Sequence, residues 1–135
     1  MILICSIQSD STGNPNSFVQ VGNGSIDTGS NYSWTRIVGT GSTALSSSGT
    51  SVSDGVLIGD ETPSSFSTDI IQFQNYSNAT TNKTILTRGN QASAAVTATV
   101  GLWRSTSAIN QIKVYCAGRN IIAGSVFSLY GIKAE

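Results

Sequence analysis

Apolar and polar positions alternate in short runs along this chain, and clusters of Gly, Ser, Asn and Pro separate the runs at intervals typical of sheet proteins. No window sustains a helical apolar stripe over three turns. The pattern predicts strands near Ile2 to Gln8, Ser17 to Val21, Tyr32 to Val38, Gly55 to Ile58, Phe66 to Asn75, Lys83 to Arg88, Ala94 to Arg104, Ile109 to Tyr115 and Val126 to Ile132. The expected fold is all-β: a single-domain antiparallel β-sandwich, jelly-roll-like, over residues 1–135.

Strand parity assigns faces, because alternate residues point to opposite sides of a sheet. From Val96 to Trp103, hydrophobicity places Val96, Ala98, Val100 and Leu102 inward and Thr97 and Thr99 outward. Ile112, Val114 and Cys116 share one face of their strand. The last strand carries bulk on both faces, Val126, Tyr130 and Ile132 on one and Phe127 and Leu129 on the other, so a core on one side and a neighbour on the other are expected to cover it. Gly131, between Tyr130 and Ile132, is expected at a close backbone approach or bulge. Ser9 to Asn16 and the low-complexity stretch from Gly39 to Gly55 read as loops, the second exposed and adaptable.

Composition sharpens this picture. Only 10% of residues are charged. Ser, Thr and Asn, about a third of the chain, must supply the polar surface. Seven basic and seven acidic residues cancel, which leaves no electrostatic footprint for nucleic acid and little self-repulsion between copies. The apolar opening from Met1 to Ile7 lacks a basic flank and is far short of a membrane span, so no membrane insertion is expected. Cys5 and Cys116 could form a single bridge, with two buried thiols the favoured reading. The Asn-x-Ser/Thr sequons at Asn23, Asn31, Asn75, Asn78 and Asn82 follow from the composition alone.

The chain contains no histidine, so Ser–His and Cys–His nucleophilic schemes have no base. Asp54, Asp60, Glu61 and Asp69 could in principle pair for glycoside hydrolysis or hold a hard cation. Their spacing matches no known signature, and they read as turn and loop carboxylates. Neither catalysis, a cofactor nor a metal is therefore expected. Tyr32, Trp34 and Tyr76 are candidates for stacking on a host glycan.

Two segments, Gly101-Leu102-Trp103-Arg104-Ser105-Thr106-Ser107-Ala108-Ile109 and Ala123-Gly124-Ser125-Val126-Phe127-Ser128-Leu129-Tyr130-Gly131-Ile132-Lys133, closely resemble a widespread family of tailed-phage structural proteins. Asp27-Thr28-Gly29-Ser30-Asn31-Tyr32-Ser33-Trp34-Thr35-Arg36 and Asn82-Lys83-Thr84 resemble it too, in the family's order. Two features depart from the family: a strand-forming segment usually precedes the stretch matching Ile2 to Gln8, and another member has His where Thr35 stands. The first departure suggests an open sheet edge near the start of the chain.

The resemblance implies a virion protein on the exterior of a phage capsid or tail, a decoration, cement or fibre-type module. It carries over no catalytic residue. Its expected partners are other virion proteins and copies of itself, by analogy a homotrimer. Trp103, Arg104, Phe127, Leu129 and Tyr130 are the interface candidates. The alternative is a receptor-binding tail module that recognises host surface polysaccharide.

Overall fold

The computed structural model describes residues 1–60 and 65–132. Among them there is no helix, and eleven strands form two antiparallel sheets. The strands are β1 (Ile2–Ile7), β2 (Asn16–Asn23), β3 (Ser25–Ile26), β4 (Tyr32–Gly39), β5 (Ala44–Val52), β6 (Val56–Asp60), β7 (Ser67–Phe73), β8 (Lys83–Gln91), β9 (Ala95–Trp103), β10 (Gln111–Cys116) and β11 (Val126–Tyr130). The larger sheet runs β11-β1-β7-β8-β9-β4-β5. In the smaller, β2 pairs with β10 along one edge and with β3 and β6 along the other. The expected antiparallel sandwich therefore forms, and its likeness to a jelly roll is confined to the two-sheet architecture, since the strands divide seven and four.

The core lies between the sheets. Leu3, Cys5, Ile7, Ile71, Phe73 and Ile85 of the larger sheet pack on Val19, Val21, Val56 and Ile58 of the smaller, together with Ile109 and Cys116. Both cysteines are buried as thiols, and no bridge joins them. Strand β2 is buried on both faces: Tyr115 stacks on Phe18 at 5.7 Å between ring centroids, and Gln20 Nε2 donates to Ser53 O at 2.8 Å.

Several sequence expectations are corrected. Most of Gly39 to Gly55 is strand β5, which pairs with β4 across seven positions. Its Ser/Thr content disguises an edge strand, whose two solvated faces need no apolar alternation. Strand β1 is not an edge, because β11 returns to pair with it over five consecutive positions. The open edge therefore belongs to β11, which its own core does not cover. Gly131 lies beyond β11, exposed, and among the described residues a Cβ there would meet open space. No crowding requires glycine at that position.

The largest correction concerns β9, where Thr97, Thr99, Gly101 and Trp103 face inward while Val96 and Val100 stand 64% and 50% exposed. Packing explains the inversion. A Cβ on Gly101 would lie 2.4 Å from both methyls of Val56, so β6 uses the space that glycine leaves. Trp103 shares the parity of Gly101 and is 2% exposed. Burying that indole and admitting β6 outweigh the exposure of two valines, and a strand cannot change one residue's face without changing all of them.

Candidate functional site

Asp27 to Arg36, Asn82 to Thr84 and Gly101 to Ile109 meet at one corner of the sandwich, whereas Val126–Tyr130 forms an edge strand of the larger sheet, away from it. Trp103, at the end of β9, donates its indole N–H to Asp27 Oδ2 at 2.7 Å. The same carboxylate accepts from Asn31 Nδ2 and from the Gly29 amide. Burial pushes the Asp27 carboxyl up, but these three hydrogen bonds outweigh it and hold the group below the ordinary aspartate value. Tyr32 is wholly buried; Val21 O and Asp27 O, each at 2.9 Å, share its one hydroxyl proton, and its oxygen accepts from the Val21 amide at 3.1 Å. Burial raises its phenol to about 12.

Arg104 donates to Ser33 Oγ at 2.7 Å, Ser51 Oγ at 3.0 Å and Tyr32 O at 3.3 Å. Lys83 is buried, and its ammonium reaches Thr81 O at 2.6 Å and Thr106 O at 3.0 Å; burial lowers its pKa. These groups join the starts of β4 and β8 to the end of β9. The hydrogen bonds of these groups tie the loops before β4 and β8 and after β9 to the strand ends.

This placement corrects several candidate residues. Trp103 is enclosed in its own protomer and offers no surface to a partner, while Arg104 is tied to four neighbours within the chain, Ser30, Tyr32, Ser33 and Ser51. Tyr32 cannot stack on a glycan because it has no exposed face. Trp34 and Tyr76 are half-buried against the core, Trp34 lying over Gly49, where a Cβ would approach its ring within 2.8 Å. The three aromatics build no exposed stacking platform.

Asp60 and Asp69 line one cleft between the sheets, about 370 Å³ in volume, along with Arg36, Asn14, Gly89 and Gln91. Arg36 pairs with Asp60 at 3.1 Å, and Asp69, buried, accepts from Ser67 Oγ at 3.1 Å. Asp54 lies in the turn between β5 and β6, where its carbonyl accepts from Tyr115 Oη. Glu61 falls outside the described residues. Among the described residues no three His, Cys, Asp or Glu side chains converge to hold a metal ion.

The feature that sequence reasoning missed is the outer face of the larger sheet. Cross-strand partners share a face, and the register places Ile37, Ala98, Arg88, Ile70 and Ile4 in one row across five strands. Val100 and Leu86 stand in the next row, and Val96 lies on the other flank. Exposure reaches 65% at Ile37 and 64% at Val96. A shallow dish of about 460 Å³ lies here, where Thr35, Gln72 and Arg88 stand among Ile37, Leu86, Ala98 and Val100. Phe127, Leu129 and Tyr130 of β11, the remaining interface candidates, are all about half exposed. The signal was available in the parity that Gly101 shares with Trp103.

No family model, no curated protein and no solved structure matches this chain.

Proposed function

We propose that this chain is a non-enzymatic structural subunit of a bacteriophage particle, exposed on the capsid or tail, which acts by assembling with copies of itself and with other virion proteins. The observation that carries this reading is the outward apolar face of the seven-stranded sheet. Water-soluble monomers seldom display so many half-exposed aliphatic side chains side by side, and such a surface is normally an interface. Thr87, Thr97 and Thr99 of the same sheet are buried on its inner side, so the aliphatic side chains of these strands are the ones turned outward.

The sequence resemblance names the kind of assembly, and the near absence of charge on the apolar face suits a contact that is permanent. The host-glycan alternative gains nothing from Tyr32, Trp34 and Tyr76, which face or pack into the core. A reconstruction of the intact particle tests the proposal. It should show this sandwich in multiple exterior copies, with Ile37, Val96 and Val100 covered by a neighbour. Purified particles that lack the chain, or that hold it singly inside the head, would refute the reading.

A further inference from the structure

We infer that the free edge of β11 is a self-pairing surface: two copies join antiparallel through Val126–Tyr130 about a twofold axis near Ser128, which fuses their seven-stranded sheets into one. The inference rests on the proposed self-assembling role and adds the surface, the partner and the symmetry.

Among the described residues nothing pairs with the outer edge of β11. Natural sheets usually blunt such an edge with Lys, Pro, a bulge or a polar sequence. The opposite edge is blunted in this way: β5 is largely Ser and Thr, its pairing with β4 shifts register between Tyr32 and Trp34, and Ser51 adopts a positive φ of 54°. Strand β11 has none of these devices. Its sequence, Val-Phe-Ser-Leu-Tyr, is uncharged, and its pairing with β1 is unbroken. An unprotected, apolar edge is a template for another strand.

Self-complementarity selects a second copy as the occupant. With Ser128 opposite Ser128 of the other copy, Phe127 falls opposite Leu129 and Val126 opposite Tyr130. Each cross-strand pair then joins an aromatic ring to an aliphatic side chain, a favourable combination, and no like charges meet. On the inner face Phe127 and Leu129 overhang an open seam of about 440 Å³, lined also by Leu3, Ile112 and Val114. The partner's Leu129 and Phe127 would roof that seam.

Val126, Phe127, Leu129, Tyr130 and Ile132 are between 46% and 61% exposed. At about 150–250 Å² for a large side chain they offer roughly 500 Å² per copy, so a pair buries at most about the 1,000 Å² at which specific interfaces begin.

Light scattering on the purified full chain should give a dimer or a multiple of it. Ser128→Cys should form an intermolecular disulfide on mild oxidation, because directly opposed strand residues lie within disulfide reach. Val96→Cys, on the same sheet but distant from β11, should not. Leu129→Lys should raise the dissociation constant about tenfold or more by placing a charge against the partner's Phe127, and an unchanged far-UV spectrum and melting temperature would show that it folds. Should it fail to fold, the Ser128→Cys cross-link alone decides. A monomer at about 100 µM, where even a weak specific interface is populated, overturns the inference. So does a Leu129→Lys protein that folds and still dimerises, or an oligomer in which position 128 does not cross-link. That last outcome leaves the particle role standing, since reconstruction tests it separately.

Discussion

Gly101→Ala isolates the inversion of β9 in a single methyl group. An added Cβ would sit 2.4 Å from both Cγ atoms of Val56 and 2.9 Å from its Cβ. Val56 is buried and β-branched, so it cannot swing aside without an off-rotamer cost or a shift of β6. Overpacking of this kind costs about 1–3 kcal/mol. For a domain of this size that is a fall in melting temperature of roughly 3–10 °C.

The opposite face predicts the opposite sign. Were Gly101 to point outward, alanine would restrict the unfolded chain at a position of ordinary φ and stabilise the protein by about 0.4–1 kcal/mol. Urea denaturation of parent and variant reads the sign directly. Adding Val56→Ala completes a double-mutant cycle: the methyls removed from Val56 make room for the new Cβ, so the double variant should be more stable than the two single losses summed, by about 0.5–3 kcal/mol of coupling. A stabilised Gly101→Ala, or a strictly additive cycle, would refute the assigned face of β9 and with it the apolar outer surface.

The corner at Asp27 gives further tests. Tyr32→Phe should destabilise by about 1–3 kcal/mol, because it strips partners from the Val21 amide and two carbonyls in a buried site; chemical denaturation checks it. Tyr32 also makes stability pH-dependent at the alkaline end. Its folded pKa of about 12 lies above the ordinary value of 10.0, so stability is fully present below pH 10 and is lost as pH rises towards 12, a loss that Tyr32→Phe should abolish. Asp27 acts at the acid end. Its folded pKa is depressed, so its contribution is present above the ordinary value of 3.8 and is lost as pH falls through the folded value; melting curves for Asp27→Asn should be flatter there than the parent's. On the exposed outer face, Val96→Thr combined with Val100→Thr should change protomer stability by no more than about 0.5 kcal/mol, while incorporation into particles, read by their protein content, should fall.

Alternation and turn residues sufficed to place nine of the eleven strands, because those strands either bury a face in the core or lie between obvious turns. The two missed are instructive. Strand β3 is two residues long, too short to carry a period. Strand β5 forms because β4 offers a free edge for hydrogen bonding, and that backbone requirement leaves no trace in side-chain hydrophobicity. The face of β9 was misread for a related reason. Parity reports two candidate faces, and the choice between them depends on what the opposite sheet places there, in this case Val56 against Gly101.

The same logic joins the corner at Trp103 to the surface proposed for assembly. The Trp103–Asp27 hydrogen bond fixes which way the last residue of β9 points, and strand parity transmits that choice along the strand at no further energetic cost. With Trp103 inward, Gly101, Thr99 and Thr97 must follow it, and Val100 and Val96 must turn to solvent. Strands β4 and β8, in register on either side, then align Ile37 and Leu86 with them. The corner residues therefore act at a distance, through the strand. They determine which side of the sheet is apolar, and a change at Asp27 should be felt at Val96, seven residues from Trp103, through the orientation of the strand between them.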